Sequence, residues 1–551
     1  MEFLDTETRR QLGFDQVWSQ IRPASSLGRA RTRQAGAFGK GQAAELEQEL
    51  TRLERICADL KEDPKQADNL HFLLGTVRDI GLSIKRSRQG IILDDTEFYE
   101  IKKLLYTAEK IQWELERLQW TFLLPEPLEQ CASCREALSI GQGGQESFYI
   151  SDAYNKELAE IRQERVMLES ALAKGRAAVD NKLIQTLGRL LSMEGKIAVS
   201  VGEREKIARL QEIPELEKVQ ETADIVTFQL IENETEARMK QKLGKVRETE
   251  EGLKEQIRRE LSQKVAEHSS RLDKVLEQLA SLDLTVAKGR FSAEIGGIKP
   301  KLCTEPAIQI EAGRHLLLEE EVRLAGRNYT PLSLRISPGV TLITGPNMGG
   351  KTASLRTIGL LIAMAQHGLL VPAQGLEFSP RDFIRAHLAT AAIPKGLSAF
   401  AGEVSFLRDV MERSREDGLI LVDEIAHGTN PVEGAAVAQA IIEYLIEERT
   451  ITVITTHFPA LPRVKGVYHL RVKGLDRDRL RRVQADSLQR CIDYRLEEAD
   501  PSTVQGSDAA IVAEALGLDE AVIARARELL EPSMNPEERD STDEQSVIST
   551  G

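Results

Sequence analysis

Residues 345–352 form the segment of this sequence best suited to bind phosphate. They read Gly-Pro-Asn-Met-Gly-Gly-Lys-Thr and fit the pattern G-x-x-x-x-G-K-[ST]. An apolar run at 340–344 precedes them, and a helical pattern over 353–368 follows. Glycines let backbone N–H groups face phosphates, and a helix N-terminus adds positive potential. The residues predicted to surround the phosphates are Gly345, Pro346, Asn347, Met348, Gly349 and Gly350.

The last two residues of this segment predict the cofactors. Lys351 has the type and position to reach the β- and γ-phosphates of a nucleotide, and the hydroxyl of Thr352 is suited to ligate magnesium. We therefore predict that the chain binds ATP and Mg²⁺, with Lys351 also serving catalysis.

Two adjacent carboxylates follow a second apolar run. Residues 419–422 read Leu-Ile-Leu-Val and are followed by Asp423 and Glu424. In open α/β sheets, ligands bind at the carboxyl ends of the strands. We predict that Asp423 holds Mg²⁺, and that Glu424 polarises the attacking water as the general base.

A histidine follows the third apolar run, which spans residues 450–455. His457 would stand at the same sheet edge as the two carboxylates, where an imidazole could sense the γ-phosphate. The alternative is a purely structural histidine. We favour the phosphate-sensing, catalytic role.

The elements that must position these residues differ between the two parts of the chain. The apolar runs at 340–344, 419–422 and 450–455 predict buried parallel strands that alternate with helices. Apolar residues at three- and four-residue steps predict helices over 104–118 and one long helix over 253–279. The predicted fold is an α/β P-loop ATPase domain preceded by an all-α region with antiparallel coiled-coil arms.

Composition restricts the class of protein. No run of 18 apolar residues occurs, and the N-terminus resembles no export signal, so we expect a cytoplasmic protein without a membrane contact. The formal net charge of −14 means that nucleic acid could bind only at a local basic patch. Cys131 and Cys134 form one CxxC pair, but a zinc site needs two further ligands that the sequence does not supply.

Taken together, these motifs resemble the ATPase of the MutS family, in the order that family has them. They are residues 345–352, Ser-Ala-Phe-Ala-Gly-Glu at 398–403, Asp423-Glu424, Gly-Thr-Asn-Pro-Val-Glu-Gly-Ala-Ala at 428–436, and Thr-His-Phe at 456–458. The form of the segment after the acidic pair is similar to the second bacterial branch of MutS. The resemblance implies an ABC-type ATPase that hydrolyses ATP to ADP and phosphate.

The resemblance also implies a homodimer. Ser398 would complete the nucleotide site of the partner subunit in trans, and Asn347 would act in closing the site. For Phe400 we favour core packing over nucleotide contact.

The resemblance divides the chain into five parts. Residues 1–135 would form a helical lever and core region, and 136–300 the coiled-coil arms with the returning lever. Residues 301–500 would form the MutS-type P-loop domain, and 501–532 a C-terminal helix-turn-helix that dimerises. Residues 533–551 are acidic and poor in apolar groups, and we expect a disordered tail.

Several features depart from the family pattern. We expect this chain to lack both the mismatch-recognition domain and the Smr nuclease domain. Phe98-Tyr99-Glu100 matches the Phe-x-Glu that wedges into DNA, but its surroundings predict a helix. Residues 202–229 are charged where that branch tends to have a glycine-rich clamp segment.

Two functions remain open. In the first, ATP opens and closes a dimeric helical clamp on DNA, in mismatch-repair-like or recombination-related binding. A basic lining for such a clamp would come from Arg238, Lys240, Lys242, Lys245 and Arg247. In the alternative, the chain resembles the MutS-like ATPase component of reactivases and remodels a cobalamin-dependent aminomutase. The acidic charge and the altered clamp favour this alternative.

Overall fold

The computed structural model describes most of the chain and divides it into two compact units. The described residues are 2–142, 146–188, 191–192, 195–231, 234–346, 349–388, 399–427, 429–475, 492–499, 513–514 and 518–530. The first unit comprises Met1–Gly75, Arg117–Pro125 and Ala280–Gly551, and the second comprises Thr76–Glu116 and Glu126–Leu279. The sequence-based boundaries at 135, 300, 500 and 532 stay predictions. The tail over 533–551 and most of 501–519 lie outside the described residues.

Helices account for most of the described chain. The α-helices are Thr6–Gln11 (α1), Phe14–Trp18 (α2), Ser26–Gln34 (α3), Ala43–Glu62 (α4), Asp68–Thr76 (α5), Gly81–Arg88 (α6), Asp95–Arg117 (α7), Ala132–Ala137 (α8), Lys156–Leu187 (α9), Arg204–Gln211 (α10), Glu234–Glu267 (α11), Ser269–Glu294 (α12), Leu316–Leu324 (α13), Lys351–Gln366 (α14), Ala399–Met411 (α15), Pro431–Ile446 (α16) and Glu520–Leu530 (α17). Short 3₁₀ turns occur at Lys40–Gln42, Thr121–Leu123, Asp152–Tyr154 and Leu461–Arg463.

The strands form three sheets. They are Lys196–Ser200 (β1), Leu216–Glu221 (β2), Ile225–Leu230 (β3), Lys301–Leu302 (β4), Ile308–Gly313 (β5), Leu332–Ile336 (β6), Gly339–Thr344 (β7), Gly375–Phe378 (β8), Ile384–His387 (β9), Leu419–Val422 (β10), Ile451–Thr455 (β11), Tyr468–Leu475 (β12) and Ile492–Glu498 (β13). Their orders are β1-β3-β2, β13-β12-β7-β11-β10-β9 and β4-β8-β5-β6.

The six-stranded sheet is the centre of the first unit. Strands β12, β7, β11, β10 and β9 run parallel, and β13 pairs with β12 in the antiparallel sense. Every residue of β7, β10 and β11 is buried. A strand that is covered on both faces needs apolar residues at every position, which is the pattern that predicted these three strands. That prediction is confirmed.

Helices cover both faces of this sheet. Ile420 and Val422 belong to a core cluster that includes residues of α15 and α16. Leu421 points the other way, and a Cβ placed on Gly359 of α14 would lie 2.8 Å from its Cδ1 atom. Helix α14, which follows the glycine-rich loop, is therefore pressed closely against the sheet.

The N-terminal residues complete the edge of the same sheet. Leu4 forms a parallel bridge with Ile384 of β9. The hydroxyl of Thr8 accepts a hydrogen bond from the N–H of Ala386 at 3.1 Å, and the side-chain oxygen of Gln11 accepts one from the N–H of Leu388 at 2.9 Å. The start of the chain thus covers an edge strand that would otherwise be open for pairing.

The second unit corrects the all-α prediction for the region before the ATPase domain. It contains the three-stranded sheet of β1, β3 and β2 in addition to its helices. Strand β1 alternates exposed and buried residues, with Ile197 and Val199 facing the core of the sheet. The strands are only five or six residues long, and β2 is exposed at every position except Leu216, so the sequence around them shows little two-residue periodicity.

Two further helical predictions concern the second unit. Phe98 is fully buried within α7, which confirms that the Phe-x-Glu match belongs to a helix. The single helix predicted over 253–279 is instead interrupted at His268, between α11 and α12. Among the described residues, no group of three or more His, Cys, Asp or Glu side chains could hold a metal ion, and no helix is long and apolar enough to cross a membrane.

Candidate nucleotide site

The loop after β7 carries glycines that no other residue could replace without displacing a neighbour. A Cβ on Gly345, where φ is +141°, would lie 2.9 Å from the Cβ of Val472. One on Gly349 would lie 2.9 Å from a backbone carbonyl oxygen, and one on Gly350, where φ is +85°, would lie 3.0 Å from the ring of Tyr494. The backbone therefore stays bare where a phosphate group would have to approach it.

Lys351 is held against this loop. It is the first residue of α14, it is 5% exposed, and its Nζ donates a hydrogen bond to the carbonyl oxygen of Gly345 at 2.9 Å. Burial lowers the pKa of Lys351, while the carboxylates of Glu424 and Asp423 act in the opposite direction. The ammonium group thus faces two carboxylates and the turn of the glycine-rich loop.

Asp423 joins three elements of the site. Thr352 of α14 donates a hydrogen bond to its Oδ2 at 2.7 Å, and Thr455 at the end of β11 donates one to its Oδ1 at 2.6 Å. Asp423 itself follows β10 and is 6% exposed. Hydroxyl and carboxylate oxygens are the ligands that Mg²⁺ prefers, so this donor set fits that ion.

The turn that follows β10 has a strained backbone fixed by neighbouring elements. Glu424 and Ala426 have φ values of 52° and 59°, a region that residues other than glycine seldom adopt. The N–H of Glu424 donates to the hydroxyl of Thr455 at 2.8 Å, and the N–H of Ala426 donates to Oε1 of Glu403 at 2.7 Å. A Cβ on Gly434 of α16 would lie 2.8 Å from the carbonyl oxygen of Ala426. The geometry of Glu424 is thus set by β11, α15 and α16.

Glu403 is a buried carboxyl group that contacts this turn. It is 6% exposed, and burial raises its pKa, whereas the N–H of Ala426 and the nearby His427 lower it. It lies in the first turns of α15 and so ties this helix to the turn that contains Glu424.

His457 lies beside the same turn but is exposed. Its ring centroid is 5.3 Å from that of His427, with the two rings nearly perpendicular at 84°. Local desolvation and the charges of His427 and Lys351 lower the pKa of His457, and the carboxylate of Glu424 opposes them. The imidazole is therefore mainly uncharged at neutral pH.

A cavity of about 570 Å³ adjoins the glycine-rich loop. Gly350 and the first turns of α14 form one side of it, and Tyr494 of β13 and Tyr329 line it as well. The hydroxyl of Tyr329 accepts a hydrogen bond from the backbone N–H of His315 at 3.0 Å, which fixes the ring. The volume of this cavity is within the usual range for a small-molecule site.

The structure brings together most of the side chains that the sequence singled out. Lys351, Thr352, Asp423, Glu424 and His457 all lie at the carboxyl ends of β7, β10 and β11 or in the segments that follow. Their catalytic and ligating roles stay predictions.

Three predicted site residues lie outside the described residues. These are Asn347, Met348 and Ser398. Phe400, which is described, packs against the core cluster below α15 and α16, as favoured from the sequence.

Sequence reasoning missed four residues of the site. Thr455 carries a weak signal, because a threonine at a strand end stands next to the sheet edge that holds Asp423. Glu403 belongs to the motif at 398–403, but no sequence signal predicts its contact with Ala426, and Tyr494 carries no signal at all, since the partners of both residues lie far away in the chain. The same holds for Tyr329, which lies in a loop between α13 and β6.

The sequence that forms this site matches a known protein family. A family model described as MutS domain V matches residues 341–533. The chain is similar to the protein named endonuclease MutS2 of Thermomicrobium roseum, with 30% identity over 497 residues that cover 83% of this chain and 58% of the relative.

Two further relatives have the same name. The protein from Pelotomaculum thermopropionicum is 29% identical over 546 residues, covering 96% of this chain and 65% of the relative. That from a Geobacillus species is 27% identical over 554 residues, covering 97% of this chain and 66% of the relative. The chain thus spans less than two thirds of the length of these relatives.

Proposed function

Because this chain belongs to the MutS family, we propose that it binds ATP with Mg²⁺ and hydrolyses ATP to ADP and phosphate. The observation that carries this proposal is the hydrogen-bonded set of Thr352, Asp423 and Thr455 beside the buried Lys351. A hydroxyl and a carboxylate converge there next to an ammonium group and a bare glycine backbone, which is an arrangement suited to a triphosphate and its metal ion.

Each side chain has a proposed role in holding the phosphates. Backbone N–H groups of the glycine-rich loop surround them, and Lys351 leaves its contact with the carbonyl oxygen of Gly345 to bind the β- and γ-phosphates. Thr352 and Asp423 hold Mg²⁺, which offsets negative charge on the phosphate oxygens.

Hydrolysis further requires that a water molecule be activated. Glu424 accepts the proton of that water. It is the neighbour in sequence of Asp423, the proposed metal ligand, and its backbone N–H is held by the hydroxyl of Thr455. His457 contacts the γ-phosphate as a neutral imidazole donor, so its contact is lost when the phosphate leaves.

The cavity beside Gly350 is the proposed site of the adenosine. Its aromatic residues Tyr329 and Tyr494 can pack against a flat base, and its position at the start of α14 continues from the phosphate loop. By family resemblance, the protein acts as a homodimer in which Ser398 of one subunit completes the nucleotide site of the other.

A pair of substitutions tests the ATPase. Glu424→Gln should retain affinity for a fluorescent ATP analogue while kcat falls by about 10²- to 10⁴-fold, the usual contribution of a general base. Lys351→Ala should instead weaken nucleotide binding itself. Glu412→Gln, which changes an exposed glutamate directly after the end of α15, is the matched control and should change neither quantity. Unchanged turnover in Glu424→Gln would remove that residue from the proposed role.

We further propose that ATP turnover is coupled to DNA binding, as the name MutS2 and the family of the relatives suggest. Steady-state ATPase rates with duplex, branched and single-stranded DNA, at low and physiological salt, test this coupling. Stimulation by one DNA form supports it. A rate that no DNA form changes, together with no DNA binding, contradicts it.

The arm helices of the second unit give less support to DNA binding than the sequence suggested. Several cations of the predicted basic lining on α11 form ion pairs with glutamates. These pairs are Lys242–Glu164 at 2.5 Å, Arg247–Glu169 at 2.9 Å and Arg238–Glu234 at 3.3 Å. Each pair offsets positive charge that phosphates would need.

This pairing favours a second candidate function, ATP-driven remodelling of a protein partner. A surface that carries both charges can be complementary in charge to another protein. Its acidic groups repel a polyanion as strongly as its basic groups attract one. The sequence resemblance suggests a cobalamin-dependent aminomutase as that partner. An ATPase rate that rises with the inactivated aminomutase and ignores DNA would support this candidate over the first.

A further inference from the structure

A second concentration of basic residues occurs near the N-terminus. No acidic residue lies between Asp15 and Glu45, although the whole chain has a formal net charge of −14. The cations of this segment are Arg22, Arg29, Arg31, Arg33 and Lys40. Lys40 pairs with Asp382 at 3.0 Å. Within the described part of the chain, none of the four arginines forms an ion pair, so their charge is not offset locally.

Part of this segment lines an open cleft of about 860 Å³ in the first unit. Arg29 and Arg33 lie one turn apart on α3, so they share a face of that helix, and both line the cleft. The remaining wall includes Phe3, Trp18 and His367. One acidic residue, Glu2, also lines the cleft.

The aromatic wall is fixed and uncharged. The indole N–H of Trp18 donates a hydrogen bond to the carbonyl oxygen of Thr32 at 3.3 Å, and its ring lies 5.4 Å from that of His367. Burial lowers the pKa of His367 to about 3, so the imidazole is neutral at physiological pH. The positive charge of the cleft therefore comes from arginines, which do not lose their protons.

We propose that this cleft binds a single strand of nucleic acid, with phosphates at Arg29 and Arg33 and a base against the wall of Phe3 and Trp18. Proteins that bind single strands combine a positive groove with aromatic side chains in this way. The charge also extends past the cleft to Arg22 and Arg31, which suits a polymer better than a free nucleotide. The inference rests on the DNA-binding part of the proposed function and gives it a location, and it is independent of ATP hydrolysis.

The experiment compares two double variants of the full-length chain. Arg31→Ala/Arg33→Ala removes two arginines whose side chains make no hydrogen bond or ion pair among the described residues, so folding is not put at risk. Lys240→Ala/Lys245→Ala makes the same change in charge on the arm helix α11. Binding of fluorescein-labelled oligothymidylate is followed by anisotropy over a range of salt concentrations, and the basal ATPase rate of each variant is measured.

The expected result is a loss of affinity in the Arg31/Arg33 variant alone, with an unchanged basal ATPase rate. The slope of log K against log salt should shrink by about 0.7 for each phosphate contact removed. A strand that contains abasic sites should bind more weakly, because its bases cannot contact the aromatic wall.

Three results would overturn the proposal. The first is that the Lys240/Lys245 variant loses binding and the Arg31/Arg33 variant does not. The second is that abasic and ordinary strands bind equally, and the third is that a free mononucleotide competes as well as the oligonucleotide. If the unmodified protein binds no DNA at all, the DNA part of the proposed function fails too, while its ATPase part is judged separately by turnover.

Discussion

Thr455 offers the sharpest test of how the site is held together. Its side chain is fully buried, and its one hydroxyl donates to Oδ1 of Asp423 at 2.6 Å and accepts from the N–H of Glu424 at 2.8 Å. Thr455→Val keeps the shape of the side chain and removes both contacts. The substitution therefore perturbs the proposed metal ligand Asp423 and the proposed general base Glu424 without changing either side chain.

The magnitude follows from the kinds of hydrogen bond that are lost. A bond to a charged group contributes about 1.5–3 kcal/mol, and a buried N–H left without a partner costs about 1–3 kcal/mol. Asp423 keeps its contact with Thr352, so part of its orientation survives. If about 1.4–2.7 kcal/mol of the loss is felt in the transition state, kcat should fall about 10- to 100-fold. The KM for ATP should change far less, because Lys351 and the loop remain.

The control lies in the same strand. Thr452 is also buried in β11, and its hydroxyl contacts that of Thr450 at 3.3 Å, at the end of the strand away from the site. Thr452→Val should cost stability but leave kcat within about twofold of the unmodified protein. Equal losses of kcat in the two variants, or a Thr455→Val variant with normal kcat, would refute the reasoning.

Two other outcomes are expected. Gly434→Ala should lower kcat and destabilise the fold by about 1–3 kcal/mol, because its Cβ would press on the carbonyl oxygen of Ala426. The control is Gly252→Ala, which has open space around it and should be neutral or slightly stabilising in the same ATPase and thermal-unfolding assays. His367 has a pKa of about 3 when folded against 6.5 ordinarily, so its contribution to stability is full above pH 6.5 and is lost as the pH falls towards 3, by about 2 kcal/mol at pH 5. His367→Phe should flatten the fall of the melting temperature between pH 7 and pH 5, and an unchanged slope would contradict the assignment.

The chemistry of the site was predictable where it depends on neighbours in sequence. The phosphate loop, Lys351 and Thr352 are contiguous, and Asp423 and Glu424 directly end a strand whose unbroken apolar run marks it as buried on both faces. The parallel pairing of β7, β10 and β11 follows from the same apolar runs. These local motifs are sufficient to predict the site because the parallel sheet places the carboxyl ends of all three strands at one edge.

The parts that could not be predicted depend on contacts across long separations. Glu403 and Ala426 are 23 positions apart, and Thr455 and Asp423 are 32 positions apart, with no pattern between them that requires the pairing. The small sheet in the second unit was missed for a different reason. Its strands are short, and although β1 alternates exposed and buried residues, β2 is exposed at every position except Leu216 and so offers no alternating pattern. In both cases tertiary packing decides what sequence periodicity leaves undetermined.

The strained turn explains why such distant residues are needed. Left-handed backbone at Glu424 and Ala426 costs about 1–3 kcal/mol for each residue, so the turn persists only if its surroundings fix it. The contacts that fix it come from β11, α15 and α16, and the contact from α15 is the carboxylate of Glu403. Helix α15 begins directly after Ser398, the residue expected to meet the nucleotide of a partner subunit. Glu403 therefore links the position of α15 directly to the backbone of the turn that carries the proposed general base.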